Sequence, residues 1–162
     1  MRTFLRKGLV LPLLLATAGC GGASHVQVSP LDALRARAAD GDPLALRDLG
    51  LAELFADGGE AMRAAGPLAK AAEFLPEDPW VAFGRATEFE LHGDRHRAID
   101  SYGRVLHLFR KGPADPERRA LAEAALYGLA EYVESDPDAV RRALSPLSPG
   151  DEAIGLRLRR NL

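Results

Sequence analysis

The chain has 162 residues, with 21 Lys+Arg against 23 Asp+Glu and a formal net charge of −2. That length suits one domain with a real core, and the mildly acidic balance lacks the clustered basic surface that nucleic acid rewards. Alanine and leucine dominate, β-branched residues are scarce and aromatics are 6%, which is the composition of an all-α protein; the single cysteine excludes an intrachain disulfide.

The first 19 residues read as a leader. Arg2, Arg6 and Lys7 make a basic start, and Leu9 to Ala18 form an apolar run broken only by Pro12 and Thr17. Ala18 and Gly19 then precede Cys20. This is the layout of a secretory signal, too short to remain as a membrane-spanning helix. The stretch "LLLATAGCGG" also resembles a bacterial lipoprotein signal, whose lipobox ends in small residues followed by cysteine. Thr17 stands where that box prefers leucine. The resemblance implies that residues 1–19 are a signal peptide, that Cys20 becomes the first mature residue, and that its sulfur and amino terminus carry fatty chains. Each buried methylene contributes about 0.8 kcal/mol, so two or more chains hold a protein stably on a bilayer. Gly21, rather than Asp, follows the cysteine, which implies an outer-membrane address facing the periplasm. An ordinary signal peptide cut near Ala18 is the alternative. Residues 20–29 are small and polar, a flexible tether.

Beyond the tether, helix starts are marked chemically. Ser29-Pro30, Asp42-Pro43, Asp78-Pro79, Asp115-Pro116 and Asp136-Pro137 each pair a capping side chain with a proline at the first helical position. Stops follow at Gly41, Gly58-Gly59, Gly93 and Gly112. The spacing predicts helices over 30–39, 43–57, 60–75, 79–92, 94–111, 116–134 and 137–144. Gly66-Pro67 should kink or split the third. Residues 148–162 read as a basic tail or weak helix, with "RLRRNL" solvated.

A period organises these helices. Ala52, Phe55, Gly59, Ala64, Leu68 and Ala71 recur 34 residues later as Ala86, Phe89, Gly93, Ala98, Tyr102 and Val105. Small falls on small, aromatic on aromatic, glycine on glycine. A helix–turn–helix unit of that length resembles the tetratricopeptide repeat. The clear units are about 45–78 and 79–112, inside a repeat domain over 30–147, with 113–147 a degenerate third unit or a cap. Arg110 stands where the second unit should carry the proline that Pro76 supplies in the first. The segment "ARAADGDPLALRDLG" also looks like the related Sel1-like repeats.

The resemblance implies a short right-handed superhelix of antiparallel helix pairs, binding a protein or peptide on its concave face. Carried over, that face would present Leu46, Leu49, Glu53 and Asp57 from the first unit. The second would offer Trp80, Phe83, Thr87, Glu90 and Leu91. Trp80 and Phe83 lie three apart on one helix face, and an exposed aromatic pair beside carboxylates suits an apolar segment with basic flanks. Core packing of Trp80 is the competing account. His92 and His96 are four apart, but Gly93 between them should break the helix that would bring them together, so no metal is expected. No nucleophile elbow, phosphate loop or His-Glu-x-x-His motif is present, so neither enzyme activity nor a cofactor is expected. The sequence therefore reads as a lipid-anchored periplasmic adaptor. An accessory arm of a cell-envelope enzyme or assembly machine is the alternative, and a metal or small-molecule carrier ranks third.

Overall fold

A computed structural model describes residues 29–56, 61–112 and 115–145. Seven helices occupy them: α1 (Pro30–Ala39), α2 (Pro43–Phe55), α3 (Ala61–Phe74), α4 (Pro79–Leu91), α5 (Arg95–Lys111), α6 (Pro116–Ala130) and α7 (Pro137–Leu144). No strand occurs among the described residues. The leader and tether, Cys20, Asp57, Gly58-Gly59 and the 148–162 tail lie outside them.

Every Asp-Pro and Ser-Pro start holds. The side chains of Ser29, Asp42, Asp78, Asp115 and Asp136 accept backbone N–H bonds from the first turns of α1, α2, α4, α6 and α7. Asp94 caps α5 in the same way without a proline. Each cap is worth about 1 kcal/mol against alanine. Gly41 and Gly93 adopt φ of 84° and 76°, the left-handed conformation that glycine takes without steric cost when a helix ends.

Two expectations need correction. Gly66-Pro67 does not split its segment: α3 runs unbroken from Ala61 to Phe74 with Pro67 inside. Leu68, Ala64 and Ala71 are all fully buried, so packing of that face offsets the hydrogen bond that proline removes. The sixth helix ends at Ala130 rather than 134, because 131–135 turn tightly with Ser135 N–H bonding back to the Tyr132 carbonyl.

The helices pack as sequential neighbours. α2 and α3 form one close pair and α4 and α5 another, with α3 against α4 joining them. α2 also lies along α4, and α4 along α6. α1 closes one end over α2. At the other end α6 packs on α5, and α7 folds back chiefly onto α5 rather than onto α6, so 113–147 does not repeat the intimate pairing of the first two units.

Leu68 of α3 is the side chain that locks the two pairs together. It is 0% exposed and lies against Gly50 of α2 and Gly84 of α4. A Cβ at Gly50 would sit 2.5 Å from Leu68 Cγ, and one at Gly84 3.0 Å from Leu68 Cδ2. Glycine at position 50 lets α2 close on the leucine, and at position 84 an added methyl would press on the Leu51 and Leu68 side chains.

Polar ties fix the same joint from outside. Arg47 of α2 reaches Asp78, the α4 cap, at 2.9 Å, and Arg104 of α5 donates to the Pro76 carbonyl at 2.7 Å. At the far end Arg118 of α6 folds over Gly112 and donates to the Leu108 carbonyl at 2.7 Å, which also accepts the Gly112 N–H at the end of α5.

Candidate functional site

The residues expected on a partner-facing surface separate into two groups. Leu46 and Leu49 of α2 are buried, in one apolar cluster with Leu31, Leu34 and Ala38 of α1. Their expected exposure is corrected: α1 carries its own apolar stripe and covers them. Glu53, half-buried, is held by Arg35 of α1 at 2.7 Å, so the chain's own first helix occupies that face. Phe83 is also corrected to core; it stacks on Phe55 at 6.3 Å and meets Tyr102 edge-on at 6.0 Å. Leu91 is exposed, and Asp57 falls outside the described residues.

The second group stays part-exposed on α4. Trp80, Phe83, Thr87 and Glu90 stand in a three-four-three spacing that puts all four along one helix face. Trp80 packs half-buried against the main core cluster, so core packing and partial exposure both hold. The stripe converges on Tyr102 of α5. Its ring is 3% exposed and lies against Gly128 of α6, where a Cβ would come within 2.4 Å of Cζ. Its hydroxyl donates to Glu90 Oε2 at 2.5 Å. Thr87 Oγ1 bonds the Phe83 carbonyl at 3.2 Å and also reaches the Tyr102 oxygen. Tyr132, just after α6, is half-buried beside the same cluster. The seam between α4, α5 and α6 is thus lined by aromatic rings around one carboxylate.

Burial, and then the neighbouring Glu90 charge, raise the Tyr102 phenol far above its ordinary range. The same two causes push Tyr132 up to about 12, with Arg95 opposing and Glu131 adding. A phenol raised on folding favours the neutral form. Its contribution is complete below the ordinary tyrosine value near ~10 and is lost as pH rises through the folded value. Alkaline unfolding should therefore set in above about pH 10. Tyr102→Phe should weaken that dependence, read as melting temperature against pH beside the phenolate absorbance; an unchanged alkaline slope would contradict it.

A second polar cluster sits at the α4–α5 turn. Glu88 is the one buried charged residue among those described, and it pairs with Arg85 at 2.5 Å and His92 Nδ1 at 3.3 Å. Arg85 and Arg97 each lie over the Phe89 ring, and Arg97 also pairs with Asp94. These charges are mutually satisfied. His96 Nδ1 lies 3.5 Å from Asp136, so the two histidines engage different carboxylates. Among the described residues no three metal-ligating side chains gather, and no helix is long and apolar enough to cross a membrane.

The Glu90–Tyr102–Tyr132 arrangement escaped the sequence reading. Tyr102 was legible as a repeat position opposite Leu68, and a buried tyrosine hydroxyl needs a partner. Nothing in the spacing named Glu90 as that partner. Exposed Phe55, at 49%, extends the aromatic line from Phe83 to the surface. No protein-family model matches the chain, and no match was found among curated proteins or among solved structures.

Proposed function

We propose that this protein is a lipid-anchored periplasmic adaptor of the tetratricopeptide type, which receives a peptide segment of a partner protein along the face of α4. The observation that carries the reading is the stripe of Trp80, Thr87 and Glu90, part-exposed above a core that includes Phe83, beside the exposed ring of Phe55. The 34-residue period of two close helix pairs supports it, since stacked pairs leave one helix of each unit free on a common surface. The short right-handed superhelix belongs to this proposal, as do the lipid on Cys20 and the outer-membrane address, which rest on the lipobox resemblance. The binding surface is narrower than the resemblance implies. α1 occupies the first unit's share, so the partner is engaged through the second unit and α6.

Crosslinking in intact cells, followed by mass spectrometry, tests the reading. A photoreactive side chain placed at Phe55 should capture a discrete protein, and Trp80→Ala should reduce capture at least about fivefold; aromatic anchors of this kind carry most of the energy of small interfaces. Cys20→Ala should abolish labelling by a clickable fatty acid and release the protein from the membrane fraction. Absence of any captured protein, or capture indifferent to Trp80→Ala, counts against the adaptor; label that persists on Cys20→Ala counts against the anchor.

A further inference from the structure

Charge is divided unevenly among the helices. The second helices of the two close pairs, α3 and α5, together with α7 carry nine lysines or arginines against three carboxylates. The remaining four helices carry six against seven. A chain whose formal net charge is −2 thus gathers its cations on α3, α5 and α7.

These cations stand outward. Lys70, Arg104, Arg110, Lys111 and Arg142 are exposed, and among the described residues none of them forms an ion pair. Asp138 is held by Arg141 at 2.8 Å, which leaves Glu73 and Asp100 as the unpaired acids of these three helices. On α3 the exposed residues Met62, Gly66, Lys70 and Phe74 recur every four, and on α5 Asp100, Arg104, His107 and Lys111 form a second exposed stripe. The stripes meet where Arg104 donates to the Pro76 carbonyl, two residues beyond Phe74. Ala143 lies against Gly103, so the basic last turn of α7 joins them at the middle of α5.

Apolar side chains punctuate this basic surface. Met62 is 79% exposed and Phe74 59%. They stand twelve residues apart, about 18 Å along the helix axis. That spacing is too wide for the packed centre of a protein interface. It suits a bilayer, where headgroups take the cations and separated apolar side chains enter the interface one by one. The lipid proposed on Cys20 would hold the domain beside such a surface, which favours lipid over an acidic protein.

We infer that the outward face of α3, α5 and α7 rests on an anionic bilayer, with its lysines and arginines on the headgroups and Met62 and Phe74 in the interface. The peptide stripe, carried by α4, is left to the partner. The inference rests on the anchor part of the proposed function, which the fatty-acid label tests separately.

The test places the purified full chain, carrying Trp80→Phe and Phe74→Trp, on vesicles of brominated phosphatidylcholine, alone or with an equal part of phosphatidylglycerol. Bromine on the acyl chains quenches a tryptophan that enters the interface. Quenching should be at least about fivefold greater with phosphatidylglycerol and should fall with added salt. Arg110→Gln, Lys111→Gln and Arg142→Gln together should remove that difference while a cooperative melt is kept, since all three side chains are exposed and unpaired. Equal quenching on the two vesicles, or quenching that survives the triple variant, overturns the anionic docking face. Absence of quenching on both overturns bilayer contact and returns these cations to an acidic partner or to solvent. None of these results touches the anchor, which stands or falls on its own label.

Discussion

Leu68→Ala should destabilise the protein by about 2–5 kcal/mol, measured by denaturant unfolding, because it empties a fully enclosed site between two helix pairs. The joint is sensitive from both sides. Gly50→Ala should cost about 1–3 kcal/mol, since the added Cβ would stand 2.5 Å from Leu68 Cγ and 3.2 Å from the Leu68 backbone nitrogen. The leucine tip can rotate away, but that backbone nitrogen belongs to a helix and cannot. In the double variant the new methyl enters the space the leucine has left, so the loss should fall short of the sum by about 0.5–3 kcal/mol. Simple additivity would mean that the two helices do not meet through this side chain.

The second large effect is expected at Gly128. A Cβ there would lie 2.4, 2.6 and 2.9 Å from three atoms of the Tyr102 ring. That ring cannot retreat: Phe83 meets it edge-on, and its hydroxyl is bonded to Glu90. Gly128→Val must therefore push α6 away from α5, at a cost of about 3 kcal/mol in thermal or denaturant unfolding. The same displacement pulls the third helix from the α4 stripe, so peptide binding should fall beyond what the stability loss explains. A variant that melts like the native chain would show that α6 does not close on Tyr102. Gly50, Gly84 and Gly128 thus do one job: each lets a helix approach a large side chain of a neighbouring helix.

Much of the fold could be read directly from the chain. Asp-Pro and Ser-Pro junctions announce helix starts because capping and proline's missing N–H are local chemistry, satisfied within four residues. The 34-residue period places Ala64 with Ala98, and Leu68 with Tyr102, in equally buried positions, since both are second-helix residues facing their own pair. It does less well on the first helices, where Ala52 is exposed and its counterpart Ala86 is fully buried. Both helices have a helix on either side, so the period alone does not fix how deeply each is covered.

The candidate site was legible in part. Trp80, Thr87 and Glu90 were carried over from the repeat resemblance, and they stay part-exposed on α4. Leu46, Leu49 and Phe83 were misplaced, because spacing shows that residues share a face but not which element covers it. Met62 and Phe74 stay exposed while Leu31 and Leu34 help bury a core, and nothing in their local sequence distinguishes them.

Local chemistry alone determined that this chain is helical, where its helices begin, and which residues share a face. Only tertiary structure decided that α1 would cover the first unit's surface, that α7 would return to α5, and that Tyr102 would meet Glu90 twelve residues away in sequence. Caps and periods act within one turn or one helix, so they are written in adjacent residues. Burial and the pairing of Glu90 depend on which helices arrive together, and that is settled by the packing of side chains such as Leu68 against glycines far along the chain.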